Sequence, residues 1–462
     1  MSSTRPTAAG TSVRTLTISS PADVLSYIPH ALGFTPDESL VVMTTAGKRL
    51  GATLRVDLPR TNAAREGDSN SFAQAVLSFL TGDTDADGTL LAVYTRDCWT
   101  RPASPPRCEL VRVLRDVLGA AGLPLRSTWL VSGEVWRDYF CPDVECCPWP
   151  GHPLDTLTDS HLNAEMIFGG SSFEPTASAA VCRSTPAVAG RGPVPDMDSW
   201  RVEDAQAHYA AACQGHWDEP VQFEATARFW DAVLQRQDPV DIVDADEAGF
   251  LLASIESKAV RDFLLVSACL GSDAALDGVD PGEDPSVVPR PGRVTGGRPR
   301  TAGVVLPPTA PAWDELPLPR RADRDEATGA EEGCPTSGAR LIAHPPAHHL
   351  FTEVLGGLYI GAIDWHRMDL MTGLLIRLAA LAGEYGEARA AALTMLGWFD
   401  YARGRGSRAA VYFDAAEVAL PGYRLARLLN ELLCRGGLPE WARRRSTAWH
   451  PGAGARGPGA AG

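Results

Sequence analysis

The sequence predicts an α/β domain with a mixed sheet, followed by an all-α, tetratricopeptide-like helical domain. Segments typical of strands and helices alternate over residues 13–190, and this alternation indicates an α/β domain. From about residue 195 onward, apolar residues recur at helical spacing and no further stretch is typical of a strand. A chain of 462 residues also exceeds one ordinary hydrophobic core, so we expect more than one domain.

The first elements of the α/β domain follow from capping and turn signals. A strand is expected over residues 13–18. Ser20 before Pro21 predicts a helix start, because a serine hydroxyl caps free amides and proline suits the first helical position. Pro29 is expected to kink or end that helix.

A β-hairpin is predicted next, with its turn at Gly47. The buried run LVVMT forms the first strand. In the return strand, Leu50, Ala52, Leu54, Val56 and Leu58 alternate with polar residues, so they are expected to share one face in the core. The hairpin makes the sheet mixed.

The rest of this domain is expected to contain two helices and two strands. Helices are predicted in NSFAQAVLSFLTG and PRCELVRVLRDVLGAAG. One strand is predicted in GTLLAVYTRD and one in RSTWLVSGEVWRDYF, which leads into a loop rich in cysteine.

The helical domain is predicted in two parts, residues 195–270 and 341–442. Between them, residues 271–340 are rich in Pro, Gly and charge, which predicts a disordered acidic insert. Residues 1–12 and 443–462 are expected to be disordered for the same reason. In the second part, the spacing of Gly397, Ala409 and Phe413 fits one tetratricopeptide-like helix pair.

The overall charge and hydropathy exclude several partners. Lys and Arg number 42 against 57 Asp and Glu, which gives a net charge of −15. Such an acidic surface repels phosphate backbones, so we expect no nucleic-acid partner. The chain has no long apolar run and its first residues lack the apolar core of a secretory signal, so we expect a cytoplasmic protein without a membrane partner.

The stretch Trp136–Leu154 holds three cysteines and one histidine. Cys141, Cys146 or Cys147, and His152 are candidate zinc ligands, because zinc binds thiolates and imidazoles at short sequence spacings. Adjacent side chains usually diverge, so one metal ion would take only one of the vicinal pair. The alternatives are a tightly packed loop without metal, which we favour, and a disulfide.

One polar cluster in the α/β domain is a weaker candidate for a catalytic or ligand-binding site. His30, Asp37, Ser39, Arg55 and Asp57 fall near one helix–turn–strand junction, and open α/β sheets bind ligands beyond their strand ends. The alternative, which we favour, is that Asp37 caps the turn while Arg55 and Asp57 pair on a solvated face.

Several stretches resemble the actinobacterial domain-of-unknown-function family numbered 4192. They are SSPADVLSYIPHALGFTPDESLVV, LRVDLP, WRDYFCPDVECCPWPGHPL, VRD at residues 260–262 and LPGYRLARLLNELLCRGGLPEW. This resemblance implies a cytosolic bacterial protein and brings no established activity and no catalytic residues.

Two functions from different classes remain open. The first is an interaction or regulatory protein without an evident catalytic site, which would bind a protein partner through the helical domain. The second is an enzyme or small-ligand-binding protein that uses the α/β domain, with or without zinc in the cysteine loop. No phosphate-binding loop, nucleophile elbow or HExxH motif occurs, and no cofactor is predicted. Whether the chain is an enzyme therefore stays open, and we favour a protein without catalytic activity.

Overall fold

In the computed structural model, the chain folds into two compact units, residues 1–180 and 181–462. Within the described residues, the first unit carries every strand and the second is helical, which confirms the predicted fold class. The structure describes residues 18–59, 66–100, 105–189, 197–236, 238, 241–278, 303–311, 348–435, 437–444 and 446–450.

The first unit is built on a six-stranded mixed sheet with the strand order β2-β1-β3-β4-β5-β6. Only β3 and β4 run parallel, and every other neighbouring pair is antiparallel. The strands are β1 (Ser39–Ala46), β2 (Arg49–Asp57), β3 (Gly88–Thr95), β4 (Leu125–Ser132), β5 (Val135–Asp138) and β6 (His152–Pro153).

Helices cover both faces of this sheet. They are α1 (Pro21–Leu32), α2 (Glu66–Leu80), α3 (Cys108–Ala120), α4 (Asp155–Thr158) and α5 (His161–Phe168), and α6 (Ala177–Ser184) spans the boundary between the two units. On one face, Leu40 and Val42 of β1 pack in a cluster with residues of α2 and α3. On the other face, Val41 and Met43 pack with residues of α1.

The start of α1 confirms the predicted cap. The Ser20 hydroxyl accepts a hydrogen bond from the Asp23 amide at 3.1 Å, and Pro21 occupies the first helical position. In return, the Asp23 carboxylate accepts from the amides of Ser19 and Ser20, both at 3.0 Å, and from the Ser19 hydroxyl at 2.8 Å. This reciprocal arrangement satisfies amide groups that a helix leaves free at its first turn.

Two local expectations in this unit are changed by the structure, and a third falls outside the described residues. The helix α1 does not end at Pro29 but continues to Leu32, where Gly33 caps it. Of the strand expected over residues 13–18, all residues but Ile18 lie outside the described part of the chain. The stretch expected as one strand before the cysteine loop is a hairpin of β4 and β5, which turns at Gly133.

The alternation of the return strand β2 is interrupted by a register shift opposite Met43 and Thr45. A bulge of this kind exchanges the faces of a strand, because side chains alternate with a period of two. Leu54 and Val56 therefore pack on the face of α2 and α3, whereas Leu50 packs on the face of α1. The expectation that Leu50 shares a face with Leu54 and Val56 was wrong.

The second unit has one large apolar core surrounded by helices. Val181 and Ala187 belong to this core, so the unit begins before the boundary predicted near residue 190. Its helices are α7 (Ser199–Ala212), α8 (Pro220–Leu234), α9 (Ala245–Glu256), α10 (Lys258–Leu270), α11 (Ser272–Gly278), α12 (His348–Leu355), α13 (Trp365–Leu381), α14 (Glu387–Ala402), α15 (Gly406–Ala419) and α16 (Arg424–Cys434).

The helices α14 and α15 form an antiparallel pair joined by a short turn. The amide of Gly386 donates to the Ala419 carbonyl at 3.0 Å, which joins the start of α14 to the end of α15. A Cβ atom on Gly397 would lie 2.5 Å from the Phe413 ring, so only glycine permits this approach. The predicted contact between the small residue and Phe413 is thus present in the fold.

Parts of two segments expected to be disordered are ordered. The first residues of the insert form α11, and the Val305 amide donates to the Gln222 side chain at 2.8 Å. Near the end of the chain, the Arg405 guanidinium lies 4.0 Å from the Trp449 ring centroid. Residues 279–302 and 312–340 of the insert, residues 445 and 451–462 of the tail, and residues 1–12 lie outside the described part of the chain. Among the described helices, none combines the length and the apolarity that crossing a bilayer requires.

The carboxylate of Asp23 should make the stability of the first unit depend on pH. Burial acts to raise the pKa of Asp23, but the hydrogen bonds from Ser19 and Ser20 outweigh it and hold the pKa below its usual value. The stabilisation is therefore present above the unfolded-state pKa and is lost as pH falls through the lower folded-state pKa. We expect Asp23→Ala to lower the free energy of unfolding by about 1 kcal/mol near neutral pH.

This expectation is checked by urea denaturation of wild type and variant over a series of pH values. The difference between them should shrink as the pH falls through the folded-state pKa of Asp23. Asp85→Ala, in an exposed turn, is the matched control and should change little. A difference for Asp23→Ala that stays constant down to strongly acidic pH would contradict the role of the carboxylate.

Candidate functional site

A cleft of about 350 Å³ opens in the first unit at the carboxyl ends of the parallel strands β3 and β4. Thr95 and Arg96 line it after β3, and Gly133 lines it after β4. The carboxyl ends of neighbouring parallel strands are the usual location of ligand sites in open α/β sheets. The apolar part of the wall is formed by Leu25, Pro29, Pro36, Val131, Leu154, Leu157 and Phe173.

Asp37 and Arg96 form an ion pair among the residues that line the cleft. The Arg96 Nε atom also donates to Asp37 Oδ1 at 3.1 Å. Both side chains are more than half exposed, so the pair lies in contact with solvent. The cleft therefore combines an apolar wall with one exposed pair of opposite charges.

The next residue, Glu38, ties the start of β1 to the end of β3. Its carboxylate accepts from the Thr95 hydroxyl at 3.1 Å and from the Arg96 amide at 2.5 Å, and the Arg107 guanidinium lies 3.4 Å away. Glu38 has a φ of 42°, which a residue other than glycine rarely adopts. These contacts hold the strained residue in place, and they fix the turn that carries Asp37.

A chain of polar contacts links Ser39, Arg55 and Asp57 on one face of the sheet. The buried Ser39 hydroxyl donates to the Asp37 carbonyl at 2.6 Å and accepts from Arg55 Nε at 2.9 Å. Arg55 pairs with Asp57 at 2.6 Å. The structure thus brings together four of the five predicted residues, which are Asp37, Ser39, Arg55 and Asp57. Arg55 and Asp57 form an ion pair, as in the alternative that we favoured.

His30 lies apart from those four residues. Its Nε2 atom is 2.9 Å from Asn163 Oδ1, and its Nδ1 atom is 2.9 Å from the Ser171 hydroxyl. Asn163 donates through Nδ2 to the Thr158 carbonyl at 2.7 Å, so its Oδ1 atom faces His30 and accepts from Nε2. Both ring nitrogens are therefore engaged, and His30 positions Asn163, which lines the cleft.

Tyr94 also lines the cleft, and its buried hydroxyl has no hydrogen-bond partner among the described residues. Burial raises the pKa of this phenol above its usual value, so the group stays protonated. A buried hydroxyl without a partner costs about 1–3 kcal/mol, and a partner that reaches it would recover part of that cost.

The cysteine loop, residues 139–151, places the sulfur atoms of Cys141, Cys146 and Cys147 within 4.8 Å of one another. Cys146 is exposed, Cys141 is half-buried and Cys147 is buried. Burial, followed by the neighbouring Cys141 thiol, raises the pKa of Cys147 to about 12. The sulfur atoms of the adjacent Cys146 and Cys147 both lie within this distance of the Cys141 sulfur, so these two side chains do not diverge as expected.

Arg137 holds this loop from the inside. Its Nη1 atom donates to the carbonyls of Cys147 and Pro148 at 2.6 and 2.8 Å, and its Nη2 atom lies 3.4 Å from the Cys141 carbonyl. The guanidinium is 5.5 Å from the ring centroid of Trp99 and equally far from that of Trp149. Such a planar, stacked donor of several hydrogen bonds is a role that arginine fills and lysine does not.

His152 is separate from the group of three sulfurs. Its Nε2 atom is 3.0 Å from the Cys146 carbonyl, and its ring stacks on Trp136 with centroids 4.6 Å apart. Backbone pairing between β6 and β5 sets His152 opposite Trp136. The structure therefore groups the three cysteines without His152, whose role as a zinc ligand stays a prediction.

Sequence reasoning missed Tyr94, Arg96, Arg137 and Asn163. A signal existed for two of them, because Tyr94 and Arg96 stand where a buried strand gives way to polar residues. Arg137 alternates with apolar neighbours in the sequence VWRD, which marks a strand but does not indicate that its side chain enters the loop. Asn163 lies 133 positions from His30, and no local pattern connects them.

Comparison with known proteins identifies the family of the chain. The model of the family described as Domain of unknown function (DUF4192) matches residues 21–277 and 365–440, which is most of the chain. No curated protein and no solved structure matches significantly.

Removal of the Arg137 guanidinium should loosen the cysteine loop. We expect Arg137→Met to lower the free energy of unfolding by about 3 kcal/mol, because several charge-assisted hydrogen bonds to carbonyls are lost. Hydrogen exchange of the loop amides should become faster in the variant. Arg115→Met is the control, since Arg115 is half-exposed and lies 5.7 Å from the Phe140 ring centroid. Equal exchange rates in the two variants would contradict the role of Arg137.

Proposed function

The chain belongs to the domain-of-unknown-function family DUF4192, and we propose that its α/β unit binds a small organic ligand in the cleft at the ends of β3 and β4. The observation that carries this proposal is the unpartnered, buried Tyr94 hydroxyl among the lining residues. Ligand sites combine an apolar wall with a few placed polar groups, and this cleft has both.

The lining favours a ligand with an apolar or aromatic body and one polar end. Leu25, Val131, Leu157 and Phe173 provide apolar surface for the body. A polar end would meet Tyr94 and the exposed Asp37–Arg96 pair. The volume of about 350 Å³ lies at the lower end of the range for small-molecule sites, so the ligand is small.

The titratable groups near the cleft already have ion-pair or hydrogen-bond partners, which favours ligand binding over catalysis. Asp37 is paired with Arg96, Glu38 lies within ion-pair distance of Arg107, and both nitrogens of His30 have partners. A general acid or base needs a position open to the proton that it transfers. The proposal is therefore of a protein that binds a ligand without converting it.

Filling the cleft tests the proposal. Leu157→Trp adds a bulky ring to the lining, whereas Leu428→Trp adds the same ring at a half-exposed position on α16. Thermal unfolding of the full chain is followed with a library of small metabolites, including nucleosides, aromatic carboxylates and short-chain acids. We expect at least one compound to raise the melting temperature of wild type and of Leu428→Trp, but not of Leu157→Trp.

Two outcomes of that experiment would count against the cleft. One is a library in which no compound shifts the wild-type melting temperature. The other is a shift of equal size in Leu157→Trp, which would place the binding elsewhere. Tyr94→Phe then separates the contributions within the cleft. It should weaken binding about tenfold, while the unfolding free energy of the unbound protein should rise by about 1–3 kcal/mol, because the substitution removes a buried hydroxyl that has no partner among the described residues.

A second proposal concerns the helical unit, for which we infer a protein partner and a regulatory role. The observation that favours it is the α14–α15 pair, whose small residues and Phe413 have the spacing of a tetratricopeptide repeat. Stacked helix pairs of this kind form extended surfaces that bind partners. We also infer a cytoplasmic location and, from the family resemblance, an actinobacterial source.

The outer face of α15 offers the test of this second proposal. Val418 is 70% exposed there. A partner captured by the wild-type chain should be lost with Val418→Asp and retained with Val144→Asp, which alters a similarly exposed valine of the cysteine loop. Equal capture by both variants would argue against this face of α15.

A further inference from the structure

We propose that Cys141, Cys146 and Cys147 bind one zinc ion through their three sulfur atoms, with a water molecule as the fourth ligand. The proposed site is separate from the cleft, because the zinc ligands and the residues lining the cleft share no member. A failure of either proposal therefore leaves the other standing.

The spacing of the sulfur atoms is close to that of a zinc–thiolate site. Zinc–sulfur bonds of about 2.3 Å in a tetrahedral arrangement place the ligand sulfurs about 3.8 Å apart. The three sulfurs already lie within 4.8 Å of one another. They would have to approach one another by at most about 1 Å. Small rotations of side chains on the loop can supply this movement.

The backbone of the loop explains how adjacent cysteines come to face one ion. The Cys147 amide donates to the Asp143 carbonyl at 2.8 Å, which closes a helix-like turn. In such a turn successive side chains point about 100° apart, rather than to opposite sides as in a strand. Cys146 and Cys147 can therefore both turn towards Cys141.

The start of the loop is fixed as firmly as its end. Asp138 accepts hydrogen bonds from the amides of Phe140 and Cys141, both at 2.9 Å. At the other end, a Cβ atom on Gly151 would lie 2.7 Å from the Trp136 carbonyl oxygen, so the chain passes close to β5. A site fixed in this way loses little conformational entropy when a metal binds.

Charged groups around the proposed site favour a bound cation. A zinc ion with three thiolates carries a net charge of 2 − 3 = −1. The Arg137 guanidinium lies against the carbonyls of Cys141 and Cys147 and offsets this charge locally. The carboxylates of Asp143 and Glu145 belong to the same exposed turn and attract an incoming cation. Binding releases the protons of the three thiols.

The burial of the three cysteines indicates where the fourth ligand lies. Cys147 is buried against the unit, whereas Cys146 is exposed. The open coordination position then faces solvent on the side of Cys146. A zinc ion with three protein ligands and one water can exchange that water for another ligand, unlike a closed structural site.

Zinc content of the full chain tests this proposal. The wild type is purified under reducing conditions from medium that contains zinc and is then dialysed against metal-free buffer. We expect one zinc ion per chain by elemental mass spectrometry. Cys146→Ser should remove at least nine-tenths of it, and because this side chain is exposed, the substitution should leave the fold intact by circular dichroism.

Cys98→Ser and Cys434→Ser are the matched controls, since both cysteines are exposed and lie outside the loop. Both variants should retain the zinc. As a second measurement, cobalt is added to the metal-free chain. Thiolate-to-cobalt charge-transfer bands, together with the strong visible bands of tetrahedral cobalt, should appear in wild type and be lost in Cys146→Ser.

Three results would overturn the proposal. The first is wild-type protein without zinc, whose three loop thiols react equally fast with and without added zinc. The second is zinc that Cys146→Ser retains in full. The third is a disulfide within the loop in protein purified under reducing conditions, detected by mass spectrometry of its peptides.

Discussion

Burial of the central strands on both faces is the constraint on which the first unit depends. β1 and β3 carry side chains that are almost wholly inaccessible in either direction, such as Val41 and Val42 on neighbouring positions. Each such side chain stabilises the fold by about 1.5–3 kcal/mol, but only when helices cover both faces. The capped helix α1 covers one face, and α2 with α3 covers the other, so the burial of the central strands depends on these helices.

Both candidate sites lie where this covering ends. The cleft opens at the carboxyl ends of β3 and β4, where Glu38 fixes the adjoining turn through Thr95 and Arg96. The cysteine loop leaves the outer strands β5 and β6 and is held by Arg137. In both places rigid strands hold polar groups in fixed positions at the border of the apolar core.

Much of the fold could be predicted from the sequence, because local signals set it. The cap at Ser20 and the hairpin turn at Gly47 need only neighbouring residues. The bulge that moves Leu50 to the other face has no such signal, since it depends on pairing with β1. The cysteine pattern indicated a metal site, but the roles of Cys146 and His152 depended on a turn and a strand pairing that the spacing alone does not specify.

Native-state hydrogen exchange of the full chain tests the central claim most directly, because it reports the stability of each strand separately. If burial on both faces holds the first unit together, the amides of β1, β3 and β4 should exchange most slowly in that unit. Those of β2, β5 and β6 should exchange faster. Amides of β1 that exchange as fast as those of β2 would contradict the account, since the covered centre would then be no more stable than the edge.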